Sequence, residues 1–245
     1  KYENARSCKK HLLIKQLIWH HCLKKLPLDP NKKYNVLEAM CGFAEGRALI
    51  IDHLKIDVDY SGFDYSDVVV NSLKENHPEL DIHQEDATQF IPDSASFDII
   101  ILIGGLHHVP NHAAKVVNNL SKGLKKGGLF INFEPTYGNP LNHWVRKKIY
   151  QKNELFDEET ERDFSVKELK SFFETAKLSP LRVRYPGLLS YILFYNPDAF
   201  PFLNMGGEWL VKLTFLIDRL IYRNFIGAFF SFATLSIWQK GESAD

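Results

Sequence analysis

Cysteine is scarce in this 245-residue chain: Cys8, Cys22 and Cys41 are the three it has, and no two form a CxxC pair. An odd, scattered set gives neither a disulfide framework nor a zinc site and fits a reducing cytoplasm. Net charge is lacking too. Thirty basic side chains against thirty acidic ones leave no overall footprint for nucleic acid or an acidic membrane, although a local patch can hide in the average. No segment reaches the roughly 18 uninterrupted apolar residues of a membrane span. The nearest, 209–238, is broken by Lys212, Asp218, Arg219 and Arg223. A GxGxxG dinucleotide fingerprint is absent, as are repeats, low-complexity tracts and a signal peptide. The first residue is Lys1 rather than a methionine, which leaves room for missing residues upstream.

What is present is core and alternation. Apolar residues make up 45%, enough for one domain with elaborations or a domain plus a small cap. Residues 1–30 read as helix, ending before Pro27 and Pro30. Short strands are predicted at Asn35–Glu38, Val58–Phe63, Leu80–His83, Phe97–Ile103 and Leu129–Phe133. Helices are predicted at Glu45–Leu54, at Ser66–Asn76 with Ser66 as N-cap, and at Asn111–Leu124, closed by the basic turn and glycine stop Lys125–Gly128. "FDIIILI" has the β-branched continuity of a strand buried on both faces. Beyond Glu134 come a turn-rich loop, a charged stretch and a helix Val166–Lys177 with the capping box Ser165/Glu168. Strands at Leu181–Tyr185 and in "FATLSIWQKG" follow. The alternation implies an α/β, doubly wound, mostly parallel sheet with helices on both faces and ligands at the carboxyl edge.

Three acids fall in order at that edge. Glu38 closes the first strand before the small-residue turn of "VLEAMCGFAEG", where backbone and helix N-terminus can approach an anionic or polar ligand. Asp64 closes the second, where an acid can accept from both hydroxyls of a ribose. Asp86, followed by Ala87, comes after the third and can accept from an exocyclic amine. Any one of them has an ordinary structural use; the ordered three point to a nucleoside-bearing ligand.

On these residues the chain resembles the class I S-adenosylmethionine-dependent methyltransferases, from about Val36 to Pro135 and more loosely to the end. "VLEAMCGFAEG" is similar to their first motif, "YSGFDYS" to the acidic end of strand two, "EDATQFIPDSASFDIIILIGGLHHV" to the adenine-binding acid and fourth strand, and "LSKGLKKGGLFINFEP" to the double glycine and fifth strand. The resemblance implies a seven-stranded sheet of order 3-2-1-4-5-7-6, with S-adenosylmethionine as cofactor and S-adenosylhomocysteine as product. The cofactor set it implies is Glu38, Cys41, Gly42, Phe43, Gly46, Asp64, Tyr65, Asp86, Ala87 and Gly104. Glycine is favoured in that family where this chain has Met40 and Ala44. Alanine is cheap there unless φ is positive, and methionine adds bulk beside the cofactor.

His107 and His108, after strand four, and Glu134, at the end of strand five, are the candidate catalytic bases. A metal is not expected, because adjacent histidines point in different directions. Residues 1–34 read as a helical lid over a Rossmann-like domain, 35–245. Within that domain 186–230 is an aromatic-rich helical insertion, or cap, between strands six and seven. Leu210, Leu213, Ile217, Leu220 and Ile221 make its apolar stripe, with Lys212, Arg219 and Arg223 on another face. The expected activity is methyl transfer to a small-molecule, sugar- or lipid-linked acceptor at O or N. Nucleic acid is not an expected partner; 186–230 reads either as a subdomain that buries its own aromatics against the sheet or as a hydrophobic cap over an apolar or lipid-linked acceptor that can touch a membrane surface. A non-catalytic cofactor-binding or scaffold protein and a nicotinamide-dependent oxidoreductase are the alternatives.

Overall fold

The computed structural model describes residues 8–150, 161–195 and 205–241. Its strands are β1 (Lys33–Ala39), β2 (Asp57–Asp64), β3 (Asp81–Gln84), β4 (Phe97–Ile103), β5 (Leu124–Tyr137), β6 (Phe164–Ser165), β7 (Leu178–Arg184) and β8 (Ala233–Lys240). The sheet runs β3-β2-β1-β4-β5-β8-β7, with the two-residue β6 paired to the end of β5. This is the expected path, renumbered by β6. Strands β1 to β5 are mutually parallel, and β8 runs antiparallel between β5 and β7. Every parallel strand therefore delivers its carboxyl end to one edge.

Around the sheet lie α1 (Lys9–Leu23), α2 (Glu45–Leu54), α3 (Asp67–Asn76), α4 (Ala113–Gly123), α5 (Pro140–Tyr150), α6 (Val166–Thr175), α7 (Glu208–Asp218) and α8 (Phe225–Phe230). One core layer joins α4 and α6 to one sheet face through Val116, Leu120, Leu169 and Phe173. The other collects α1, α2, α3 and the insertion. Ile14, Ile18 and Cys22, four residues apart, form the fully buried stripe of α1. Trp19 meets Phe133 of β5 edge-on and donates its indole N–H to the Tyr195 hydroxyl at 3.2 Å. Burying each such isoleucine contributes about 1.5–3 kcal/mol. Helix α1, within the segment read as a lid, thus packs into the core, and Lys15 ties it to Glu45 at the start of α2 (2.7 Å).

Several boundaries differ from expectation. The first helix stops at Leu23, because Lys24 is extended and Lys25 adopts φ +58°. Lys125–Gly128 is not a helix stop but lies inside β5. Between Phe97↔Leu124 and Ile99↔Leu129 the ladder bulges, and Asp98 draws Lys125 across it at 2.7 Å. Glu134 does not end its strand, which continues through Pro135 to Tyr137. Ser165 caps α6 as expected, but Glu168 pairs with Arg162 (2.7 Å) rather than completing a capping box.

The insertion's stripe is displaced as well. Val211, Thr214, Phe215 and Asp218 form the buried face of α7, whereas Leu213, Ile217 and Leu220 are exposed. Both faces are apolar, so periodicity alone does not say which turns inward. Asp218 settles it: its carboxylate accepts from both the N–H and the hydroxyl of buried Ser190 (2.6 Å each).

His21 of α1 packs edge-on against Phe215 and Tyr222. Burial first, then Lys24, Arg184, Arg219 and Arg223, push its pKa down to about 4. The folded state therefore binds fewer protons than the unfolded one. Its contribution is complete above pH 6.5 and is lost as pH falls toward 4. His21→Gln should flatten that part of the stability profile relative to wild type in thermal melts; an unchanged slope would remove His21 from the acid response.

Candidate functional site

The first turn is built around Glu38. Its carboxylate is buried at the end of β1 and accepts from Gly46 N–H (2.9 Å), Arg47 N–H (3.1 Å) and the Tyr60 hydroxyl (2.7 Å). It thereby fastens the N-terminus of α2 to the strand. Burial pushes its pKa up to about 7 against those three hydrogen bonds. Gly46 is required by close approach, since a Cβ there would lie 2.7 Å from Glu38 Oε1. Tyr60 was not singled out from the sequence. It stands two residues before Gly62, the register partner of Glu38, whose missing side chain leaves its hydroxyl room to pass. Glu38 therefore shapes the turn from beneath.

Met40 and Ala44 both have positive φ, +53° and +59°, a left-handed conformation that glycine adopts freely and that these side chains hold at the cost of local strain. The bulk of Met40 does not sit over the turn: its Sδ packs where a side chain on Gly105 would be. The two positions should respond oppositely to glycine. Ala44→Gly should stabilise by about 1 kcal/mol, raising the melting temperature by roughly 2–4 °C. Met40→Gly, which forfeits the packed thioether, should lower it. Calorimetric melts of both variants check this.

Asp64 reaches back to the same turn. Its Oδ2 accepts from Gly42 N–H (2.9 Å) and its Oδ1 from Ser66 N–H (3.0 Å), leaving lone pairs on both oxygens. Asp86 Oδ1 accepts from Thr88 N–H (2.8 Å), and Ala87 beside it is buried. Phe43 and Tyr65, at the ends of β1 and β2, are 66% and 74% exposed. Cys41 is buried, which raises its thiol pKa, so it serves as a small wall. Gly42 (φ +50°) and Gly104 (φ +62°) both face open space. An added Cβ would meet nothing within 4 Å at the first and only His107 Cε1 at 3.7 Å at the second. Open space at each of the two glycines, with Asp64 at the end of β2 and Asp86 just beyond β3, is compatible with an amino-acid nucleoside such as S-adenosylmethionine.

Beyond Gly104, Glu134 is wholly buried and fully engaged. Oε1 accepts from Gly105 N–H (2.9 Å) and Leu106 N–H (2.8 Å), and Oε2 lies 3.0 Å from His107 Nδ1. It holds the loop after β4 and orients one histidine. His108 Nδ1 lies 2.9 Å from Glu161, a partner not singled out from the sequence because it is 53 positions away. The two imidazoles do not point apart: their centroids are 4.1 Å apart. With Glu161 they bring ligand-type atoms within 4.8 Å of one another. Burial, then the neighbouring His107, lowers the pKa of His108.

Comparison with known proteins agrees with this geometry. Residues 36–128 match the family model described as a methyltransferase domain. A demethylmenaquinone methyltransferase of Leptospira interrogans is 26% identical over 155 residues, covering 60% of this chain and 59% of the relative. The match thus spans about three fifths of that relative's length. Among solved structures, the complex between the Haloferax volcanii Trm112 methyltransferase activator and a methyltransferase superposes with TM-score 0.63 at 14% identity, covering both chains fully. A methyltransferase of Bacillus halodurans gives TM-score 0.60 at 15% identity, over 93% of this chain and 98% of that one. Residues 36–128 of this chain thus match a methyltransferase-domain model, and the chain as a whole shares the Rossmann-like α/β fold of these solved structures.

Proposed function

We propose that the chain transfers a methyl group from S-adenosylmethionine to a hydroxyl of a small, largely apolar acceptor. The observation that carries the proposal is the alignment of Asp64, Gly42, Gly104 and the Glu134–His107 pair along one sheet edge. Asp64 would hold the ribose, Asp86 and Ala87 the adenine, and Gly104 would offer its carbonyl to the ammonium. Phe43 and Tyr65 would close on the nucleoside from the solvent side. When bound, the cofactor supplies an electrophilic methyl on a positively charged sulfur. The protein's part is to place the acceptor oxygen in line with it and keep water out.

His107 carries the proton chemistry in this proposal. With its Nδ1–H donated to Glu134, its Nε2 is an unprotonated acceptor. As the acceptor oxygen takes up the methyl group that the bound cofactor would supply, its hydroxyl proton would move to His107 Nε2. Glu134 stabilises the resulting imidazolium without taking the proton. The Leptospira relative is named for a quinone substrate, which supports an aromatic, apolar acceptor. Peripheral contact with a membrane through 186–230 belongs to the same proposal.

Calorimetry with S-adenosylmethionine, S-adenosylhomocysteine and NADH tests the cofactor, and release of S-adenosylhomocysteine with hydroxylated apolar acceptors tests the reaction. Binding of neither sulfur nucleoside would overturn the proposal. The strained φ values at Met40 and Ala44 favour a second reading, a cofactor-binding protein without turnover. Binding with no release of product across the acceptors would select it.

A further inference from the structure

We infer that the outer face of the insertion, together with α5, is a docking surface for an anionic bilayer. Its purpose rests on the apolar acceptor proposed above, though the surface itself does not. Helix α7 is apolar on two sides. Its inner side is used up against α1, while Leu213, Leu216, Ile217 and Leu220 on the outer side are each 45–74% exposed. After one turn of chain, α8 adds Phe225 at 79% exposure, with Phe229 and Phe230 about half exposed. Soluble monomers rarely leave so many large apolar side chains together in water.

The patch continues onto α5. Asn139 Nδ2 donates to Phe229 O (2.6 Å) and Asn142 Nδ2 to Phe230 O (2.9 Å), so the two helices are tied side by side. Gly138 permits this, because any Cβ there would collide with Ala228 O. Leu141 and Trp144, three residues apart on one helical face, are 65% and 58% exposed. Helix α5 starts just after the carboxyl end of β5, the edge that carries Glu134 and, one strand over, Gly104. A surface seated on lipid here would bring the site's edge to the membrane.

Charge identifies the occupant. Exposed Lys212 and Arg219, seven residues apart on the flank of α7, join Arg223 and the Lys147–Lys148 pair on α5. Against these five stands one exposed acid in 138–148 and 205–230, Glu208, since Asp218 is buried. In a chain with no net charge, that is a concentration of positive charge. A second copy of the chain would bring like charges together, whereas anionic headgroups neutralise them while the apolar side chains enter the interface. Among the described residues no helix is long and apolar enough to cross a membrane, so this contact lies on the surface.

Co-sedimentation with vesicles tests this and needs no cofactor. The intact chain should bind phosphatidylcholine vesicles containing phosphatidylglycerol, bind phosphatidylcholine alone far more weakly, and lose binding in high salt. Each basic residue is worth about fivefold in partitioning, so Lys212→Glu with Arg219→Glu should weaken it about 25-fold or more. Leu220→Asp with Phe225→Asp should abolish it. Tryptophan emission should shift to the blue on binding, since Trp144 and Trp209 are exposed while Trp19 and Trp238 are buried. No binding to anionic vesicles, binding undiminished in the Leu220/Phe225 variant, or a stable dimer dispersed by that variant would each overturn the proposal. Calorimetry with S-adenosylmethionine on the same variant separates lost docking from unfolding, and from failure of the methyltransferase reading.

Discussion

Replacing Asp64 with alanine should weaken S-adenosylmethionine binding about a hundredfold while leaving the chain folded. The carboxylate already takes one backbone N–H on each oxygen, from Gly42 and Ser66. Its remaining lone pairs are the ones positioned for two ribose hydroxyls. Hydrogen bonds to a charged group are worth about 1.5–3 kcal/mol each, and two of them amount to at least two orders of magnitude in dissociation constant. The Gly42 tether adds to the effect, because without it the glycine turn loses the contact that aims it at the second strand. Unfolding is not expected, since the two hydrogen bonds lost fasten a partly buried turn and not the core. Asp64→Asn keeps one carbonyl acceptor and should fall between the two. Titration calorimetry on both variants, with melts as controls, gives the comparison. An Asp64→Ala dissociation constant within about threefold of wild type would refute the ribose assignment.

How far the sequence foretold this site depends on how local each contact is. The sheet path was legible because alternation and the β-branched run of β4 are local signals, and local signals survive folding. The ordered acids were legible for the same reason, each at the end of its own strand. What escaped was pairing at a distance: Tyr60 beneath Glu38, Gly105 beneath Met40, and Glu161 beside His108. Nothing in a one-dimensional pattern announces a partner 22, 65 or 53 positions away. The inner face of α7 escaped for a different reason. Two apolar faces give a helix no preferred orientation until a polar residue such as Asp218 finds its buried partner, Ser190.

The second large effect follows from another distant contact, that of Glu134 with His107. Glu134→Gln should lower kcat by about two to four orders of magnitude with an oxygen acceptor, while the affinity for S-adenosylmethionine stays nearly constant. Glutamine is the same size, and its carbonyl oxygen can still accept from Gly105 and Leu106, so the loop after β4 keeps its shape. Its amide nitrogen, however, would face His107 Nδ1 and donate to it. The imidazole proton is then driven to Nε2, the atom that must be bare to accept from the substrate. The same change of acid to amide beneath a histidine base disables other enzymes by imposing the wrong tautomer.

A merely structural role for Glu134 predicts something else. Glu134→Ala would leave two buried N–H groups and an imidazole unpartnered, and should lower the melting temperature as well as activity. Glu134→Gln should cost activity alone. If Glu134→Gln retains activity within about tenfold, His107 is not the base. The acceptor would then be one that loses no proton in the transfer, a neutral amine or an oxygen already ionised. Because every step of this test is read on a folded, cofactor-binding protein, positioning at Glu134 and binding at Asp64 are separable within one edge of one sheet.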